Sequence, residues 1–189
     1  MMLEEIERVL KNRRSIFPNN YIDRSIEKET LLRLLECANQ APTHKLTQPW
    51  RFKVFRGKGL KKLSSELAEQ YRNITPADAF LQKKSDSIRQ KVIDSGAVIA
   101  ICIHESGTVP VWEEVAAVAC AVQNMWLAAS VEGIGAYWST PGLVSTLNAF
   151  LGLADNERCI GLFYMGYHNE SPREGNRTPI EGKTVFFEE

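Results

Sequence analysis

Between Glu114 and Glu132 the chain carries no charged residue. Val115, Val118, Val122, Trp126 and Ala129 recur there at helical spacing. Ala116, Ala117, Ala119, Cys120 and Ala121 fill the other faces with small groups. A helix that is apolar nearly all round needs cover nearly all round. Pro110 suits its first turn, Glu113 and Glu114 favour the positive end of the helix dipole, and Gly133 can stop it. A bilayer span wants about 20 apolar residues, and Gln123, Asn124 and Ser130 interrupt this stretch. We read it as a core helix and expect no membrane partner. At about 1.5 Å per residue it reaches roughly 30 Å, the width of a small domain. A chain of 189 residues covers such a rod poorly alone, and small residues let a second helix approach closely. The expectation is a homodimer packed on this helix; the central helix of a monomer is the alternative.

The length fits a single domain over residues 1–189 with a real core. Lys plus Arg and Asp plus Glu both number 23, so the formal charge is zero. That argues against a nucleic-acid partner, which usually requires a basic excess. Cys37, Cys102, Cys120 and Cys159 stand in apolar settings without Cys-x-x-Cys spacing, as buried free thiols of a reducing compartment would. The start, Met-Met-Leu-Glu-Glu-Ile-Glu-Arg, lacks the apolar core of a signal peptide. A cytoplasmic protein is expected.

In chain order, residues 2–13 read as a helix leading into Arg13-Arg14-Ser15. Guanidinium forks followed by a hydroxyl can grip an anion, although solvated surface charge is the simpler reading of that motif alone. Residues 27–40 form a second helix, ended by Ala41-Pro42. The donor-rich loop Thr43-His44-Lys45-Leu46-Thr47-Gln48-Pro49-Trp50 follows, and then an alternating strand over residues 51–56. Residues 58–72 read as a surface helix and 80–94 as a charged one; residues 73–94 fit either a lid or a substrate wall. Val98–Ile103 is a continuous apolar run, hence a strand covered on both faces. After the central helix come a short strand to Trp138, then Ser139-Thr140-Pro141, a helix near 143–151 and a buried strand over 159–166. Val185-Phe186-Phe187 needs cover and suits a strand added to a sheet. This order implies an α+β fold, with a central mixed sheet of four to five strands in a shell of helices.

Several familiar signatures are missing. No Gly-x-Gly-x-x-Gly follows a first strand, no phosphate-binding P-loop is present, and no residue cluster has metal-ligand spacing. His104 reads as structural and His168 as solvated. What remains is a scatter of donors at element ends: Arg13, Arg14, Ser15, His44, Lys45, Gln48, Ser139, Thr140 and Arg177. Binding residues concentrate at such places. Together they suit a ligand with a phosphate and a flat, polar-edged ring.

These residues resemble the FMN-dependent NAD(P)H nitroreductases, above all their short single-domain bacterial branch. The markers are Arg13-Arg14-Ser15, the Ala41–Trp50 stretch, the Ala-rich central helix running into Gly133-Ile134-Gly135, Gly161–Gly166, and the basic tail. The resemblance implies an intimate homodimer with two FMN molecules at its interface. It also implies hydride transfer from NAD(P)H, by way of the flavin, to a nitroaromatic or similar electron-poor acceptor, with no obligate acid or base. Quinones, enones or halogenated phenols as acceptors, or a flavin-binding protein with little catalysis, are the alternatives. By position, Arg13, Ser15 and Arg177 would hold the phosphate and Arg14 would lie near the ribityl chain. His44 and Gln48 would line the flavin, His44 or Lys45 would tune it, and Trp138, Ser139 and Thr140 would surround it. Two positions depart from the family pattern: Leu46 stands where an Asn is usual, and Phe17 where many members carry a basic residue.

Overall fold

The computed structural model describes residues 2–173 and 175–188. Its scaffold is a sheet of four strands, β1 (Trp50–Phe55), β2 (Ala97–His104), β3 (Ile134–Ser139) and β4 (Glu157–Tyr167), in the order β1-β2-β4-β3. Every neighbouring pair of strands is antiparallel. The parallel element is a single bridge, where Ser15 pairs with Ala136 on the outer edge of β3.

The apolar run of β2 has the predicted consequence. Ala97 through Ile103 are buried, and the alternation of a strand sends successive side chains to opposite faces. Ile99, Ile101 and Ile103 face one core, shared with Phe163 and Met165 of β4. Val98, Ala100 and Cys102 face the other, with Leu162 and Tyr164. The first core is closed by α2 (Lys28–Asn39) and α5 (Val111–Val131), whose Leu31, Leu34, Val118, Val122 and Met125 are buried in it. The second is closed by α3 (Lys58–Ile74), α4 (Gln82–Ile93), a 3-10 turn at Gly142–Thr146 and the short α6 (Asn148–Leu151).

Helix α5 is the predicted central rod. Glu113 and Glu114 stand in its first turn, and Gly133 follows it at φ 70°, a backbone conformation that favours glycine. By length and composition α5 would pass as a membrane span, contrary to our reading of its polar interruptions. Here it lies on the sheet with seven side chains buried, Glu114 among them. The Glu114 carboxylate is satisfied by the Ser106 backbone N–H, 3.1 and 3.3 Å from its two oxygens.

Helix α3 is a surface helix with one buried face, made by Leu60, Leu63, Leu67 and Tyr71. Over residues 73–94, α4 docks on α3. Ser64 Oγ donates to Arg89 O at 3.2 Å, and Leu81 N donates to Tyr71 Oη at 3.2 Å. Several expectations are corrected. The predicted helix at 143–151 is broken in two at Leu147. Cys37 and Cys120 are exposed rather than buried, since they lie on the outward faces of α2 and α5. Val185, Phe186 and Phe187 form no strand within this chain, and Phe187 is 91% exposed. His168 is half-buried instead of solvated: it bridges Tyr21, and Glu170 N donates to its Nδ1 at 3.1 Å.

Candidate functional site

The first helix, α1 (Leu3–Asn12), ends at Arg13, whose N–H still reaches Val9 O. From there the chain zips onto the free edge of β3. Ser15 forms its bridge, and Ile16 N donates to Ala136 O at 3.1 Å. Tyr21 Oη lies 2.8 Å from Ile16 O and 3.0 Å from Tyr164 O, tying the segment to β4. Burial pushes the Tyr21 phenol well above its ordinary range.

This zipper places a cluster of guanidinium groups. Arg13 lies over the Trp126 ring of α5, 4.4 Å from its centroid. Trp126 in turn meets Phe163 edge-on at 5.3 Å. Arg14 donates to Arg13 O and Lys11 O, both at 2.6 Å, and Arg173 donates to Ser15 O at 3.0 Å. Arg177 arrives from the tail. Burial, then the fields of Arg14 and Arg177, pull the Arg13 guanidinium below its ordinary range. None of these four arginines has a carboxylate partner among the described residues. Arg13 Nη1 and Arg14 Nε are buried without an acceptor among the described residues. Packed cations with unspent donors suit an anion, and guanidinium forks match phosphate oxygens. Two adjoining hollows border the cluster. One, of about 360 Å³, runs over Ile16, Trp126 and Gly135; the other, of about 580 Å³, is lined by Lys11, Arg14, Arg173 and Arg177.

Trp138 and Ser139 end β3, the strand whose edge carries the arginine segment. Trp138 packs over Gly161 so tightly that a Cβ there would fall 2.1 Å from its Nε1. Its indole N–H has no acceptor among the described residues. Ser139 Oγ accepts from Tyr137 Oη at 3.2 Å, and Thr140 is exposed just beyond. Phe17, where a basic residue is common in the family pattern, packs on Tyr137 with centroids 4.6 Å apart.

His44, Lys45 and Gln48 form a second group. Their loop is strained, with Lys45, Leu46 and Gln48 all at positive φ (50°, 55° and 44°). Such strain persists only where surroundings enforce it. Here Thr43 Oγ1 bonds Thr47 Oγ1 at 3.0 Å and accepts from Gln48 N at 3.1 Å, while Lys45 Nζ reaches Thr108 O at 3.4 Å. His44 Nδ1 meets Glu113 Oε2 at the start of α5. Leu46 is 79% exposed.

The fold does not bring the two groups together. Glu113 and Trp126 are thirteen residues apart on one helix, which separates His44 from Arg13 by about 20 Å along it. They also lie at opposite edges of the sheet, since the loop precedes β1 and the arginine segment borders β3. Reading the sequence missed Glu113, Trp126, Tyr21 and Arg173 as members of these groups. Glu113 and Trp126 were absorbed into the helix pattern, and the other two carry no local signal.

The protein-family model described as the nitroreductase family matches residues 10–167. The Bacillus subtilis protein YfhC, provisionally named an NAD(P)H nitroreductase, is 27% identical over 187 residues, covering 93% of this chain and 90% of its own. A nitroreductase-like family protein from Bacillus cereus superposes with a TM-score of 0.84 at 28% identity, over 100% of this chain and 99% of that one. A provisionally named nitroreductase from Desulfovibrio desulfuricans, solved in complex with FMN, shares the fold with a TM-score of 0.73 at 21% identity, over 96% of each chain. With the helix-wrapped antiparallel sheet and these matches agreeing, the chain belongs to the nitroreductase family.

Proposed function

We propose that the protein is an FMN-dependent NAD(P)H oxidoreductase that works as a cytoplasmic homodimer and reduces nitroaromatic or similarly electron-poor acceptors. The observation that carries this reading is the cluster of Arg13, Arg14 and Arg177, cationic, partly desolvated and without a carboxylate partner among the described residues. Unspent donors of this kind fit the phosphate of FMN. Arg13, Ser15 and Arg177 would hold that phosphate, with Arg14 beside the ribityl chain. Trp138, Ser139 and Thr140 would border the ring. FMN, when bound, supplies the hydride relay between the nicotinamide and the acceptor. The chain's own residues bind, orient and exclude water.

The dimer is supported by the separation of the two groups. A flavin held by Arg13 cannot also meet His44 of the same chain, about 20 Å away along the helix. A second copy, packed on α5, can bring its His44, Lys45 and Gln48 to that flavin. The outward side of α5 offers the surface: Trp112, Ala116, Cys120 and Val131 are exposed along it. Helix α1 has no buried residue of its own and shows Leu3, Ile6 and Leu10 to solvent. The exposed Val185-Phe186-Phe187 would find cover on the partner, where it suits an added strand. Donors from His44 and Lys45 would stabilise negative charge developing on the flavin ring.

The test is the visible spectrum of the purified protein, with the cofactor identified after denaturation. A yellow protein that releases FMN and bleaches under anaerobic NAD(P)H supports the reading. A colourless protein that neither binds FMN nor is stabilised by it overturns it.

A further inference from the structure

Cys102 on β2 and Cys159 on β4 are direct cross-strand partners. They are 57 positions apart in the chain, and nothing in their sequence spacing pairs them. Both side chains enter the same core, beneath Leu143, Leu147 and Leu151. Partners across an antiparallel ladder have Cα atoms about 4.5 or 5.5 Å apart, and disulfides form at about 4.4–6.8 Å. The ladder carries a bulge at this point: Ile101 pairs with Gly161 and Cys102 with Cys159, leaving Ile160 unpaired. A bulge locally disrupts the ladder and bends the strand. We propose that Cys102 and Cys159 are a redox-active dithiol that closes to a cross-strand disulfide under hydroperoxide.

The two thiols are not equivalent. Each thiol acts on the other, holding Cys159 below its ordinary range and, with burial, Cys102 above it. Lys53 of β1 and Glu157 of β4 act on Cys102 in opposite senses. Cys159 is also the more accessible, at 5% against 0%. Cys159 is therefore the attacking thiol. Its sulfur takes one oxygen from the peroxide, the O–O bond breaks, and the thiol proton leaves with the other oxygen as water (or as an alcohol from an organic peroxide). The sulfur of Cys102 then displaces hydroxyl from the Cys159 sulfenic acid. The S–S bond forms, the S–O bond breaks, and the second thiol proton departs in a second water. Two thiols have lost two electrons and two protons, and one peroxide has taken them up.

The pair sits against the wall of the candidate site. Cys159 Sγ donates to Gly161 O at 3.5 Å, and Gly161 is the residue on which the Trp138 indole rests. Oxidation removes that hydrogen bond where the strand carries the indole.

The experiment treats the intact, full-length protein with hydrogen peroxide, blocks remaining thiols with maleimide on acid denaturation, and maps peptides by mass spectrometry. The expected product is a Cys102–Cys159 cross-linked peptide pair short of two hydrogens, restored to free thiols by dithiothreitol. In a Cys102→Ala variant, Cys159 should instead be trapped by dimedone as the sulfenic acid. The proposal is overturned if Cys102 and Cys159 both remain labelled after the exposed Cys37 has been oxidised. It also fails if either buried thiol is linked only to Cys37 or Cys120. Should Cys102→Ala not fold, the wild-type peptide map decides the question alone. The readout needs no flavin, so it stands apart from the proposed activity.

Discussion

His44 Nδ1 lies 2.5 Å from Glu113 Oε2, and this contact pins a strained loop to the first turn of the helix on which the molecule is built. His44 is 56% exposed, so the pair is worth at most about 1 kcal/mol to folding. Its importance is in aiming the imidazole.

A Glu113→Gln substitution should therefore leave the thermal midpoint nearly unchanged while slowing flavin reduction by NAD(P)H several-fold. Stopped-flow absorbance, read beside a melting curve, checks both. A large loss of stability with unaltered reduction kinetics would show that the contact serves the fold alone.

Arg13→Ala removes a guanidinium with a buried unspent donor from the cluster. Charge-assisted hydrogen bonds contribute about 1.5–3 kcal/mol, so FMN affinity should fall by roughly 10- to 150-fold, as 1.4 kcal/mol is a factor of ten. Flavin fluorescence titration gives the number directly. Unchanged affinity would remove Arg13 from the phosphate site.

Ala116 faces outward from α5, one turn beyond Trp112. Ala116→Glu puts a charge on the surface through which we expect two copies to meet. Light scattering coupled to gel filtration should report a monomer, and that monomer should retain little FMN, since half of the ring's contacts would be lost. A dimer of full FMN content would place the interface elsewhere.

Tyr21 and Tyr164 predict the alkaline limit of the fold. Burial raises both phenols above the ordinary value near 10. Above that pH the unfolded chain releases protons that the folded chain keeps, so stability is fully present below about pH 10 and is lost as pH rises beyond it. Melting temperature should be flat with respect to these groups through neutrality and fall steeply in alkali. Tyr21→Phe should flatten that fall. It should also lower the neutral-pH midpoint, because two backbone carbonyls lose their hydroxyl partner. An equally steep alkaline fall in the variant would assign the loss to other groups.

How much of this was legible in the sequence follows from the range of each signal. Helix α5, strand β2 and the Arg13-Arg14-Ser15 motif were readable because hydrophobic period, charge placement and residue type are local properties. A continuous apolar run can only be a doubly covered strand or a buried helix, whatever surrounds it. The small side chains filling the other faces of α5 likewise pointed to close neighbours, and Ala117, Ala121 and Ala129 are buried. Where local pattern was mixed, less was legible. The lysines of α3 masked a buried face that only its docking on the sheet made necessary, and Leu147 broke a helix because the chain had to turn back into β4.

The rest belongs to long-range register, which no local signal encodes. Arg13 reaches Trp126, and His44 reaches Glu113, through a sheet order that joins strands distant in the chain. Cys102 meets Cys159 because β2 and β4 pair with one particular offset and a bulge. A shift of one residue would send either thiol to the opposite core, since neighbouring side chains on a strand point to opposite faces. The sequence alone determined which segments had to be buried and which residue types could grip an anion. The tertiary structure decided which of them meet, because contact between distant residues depends on strand pairing and packing that the whole chain settles together.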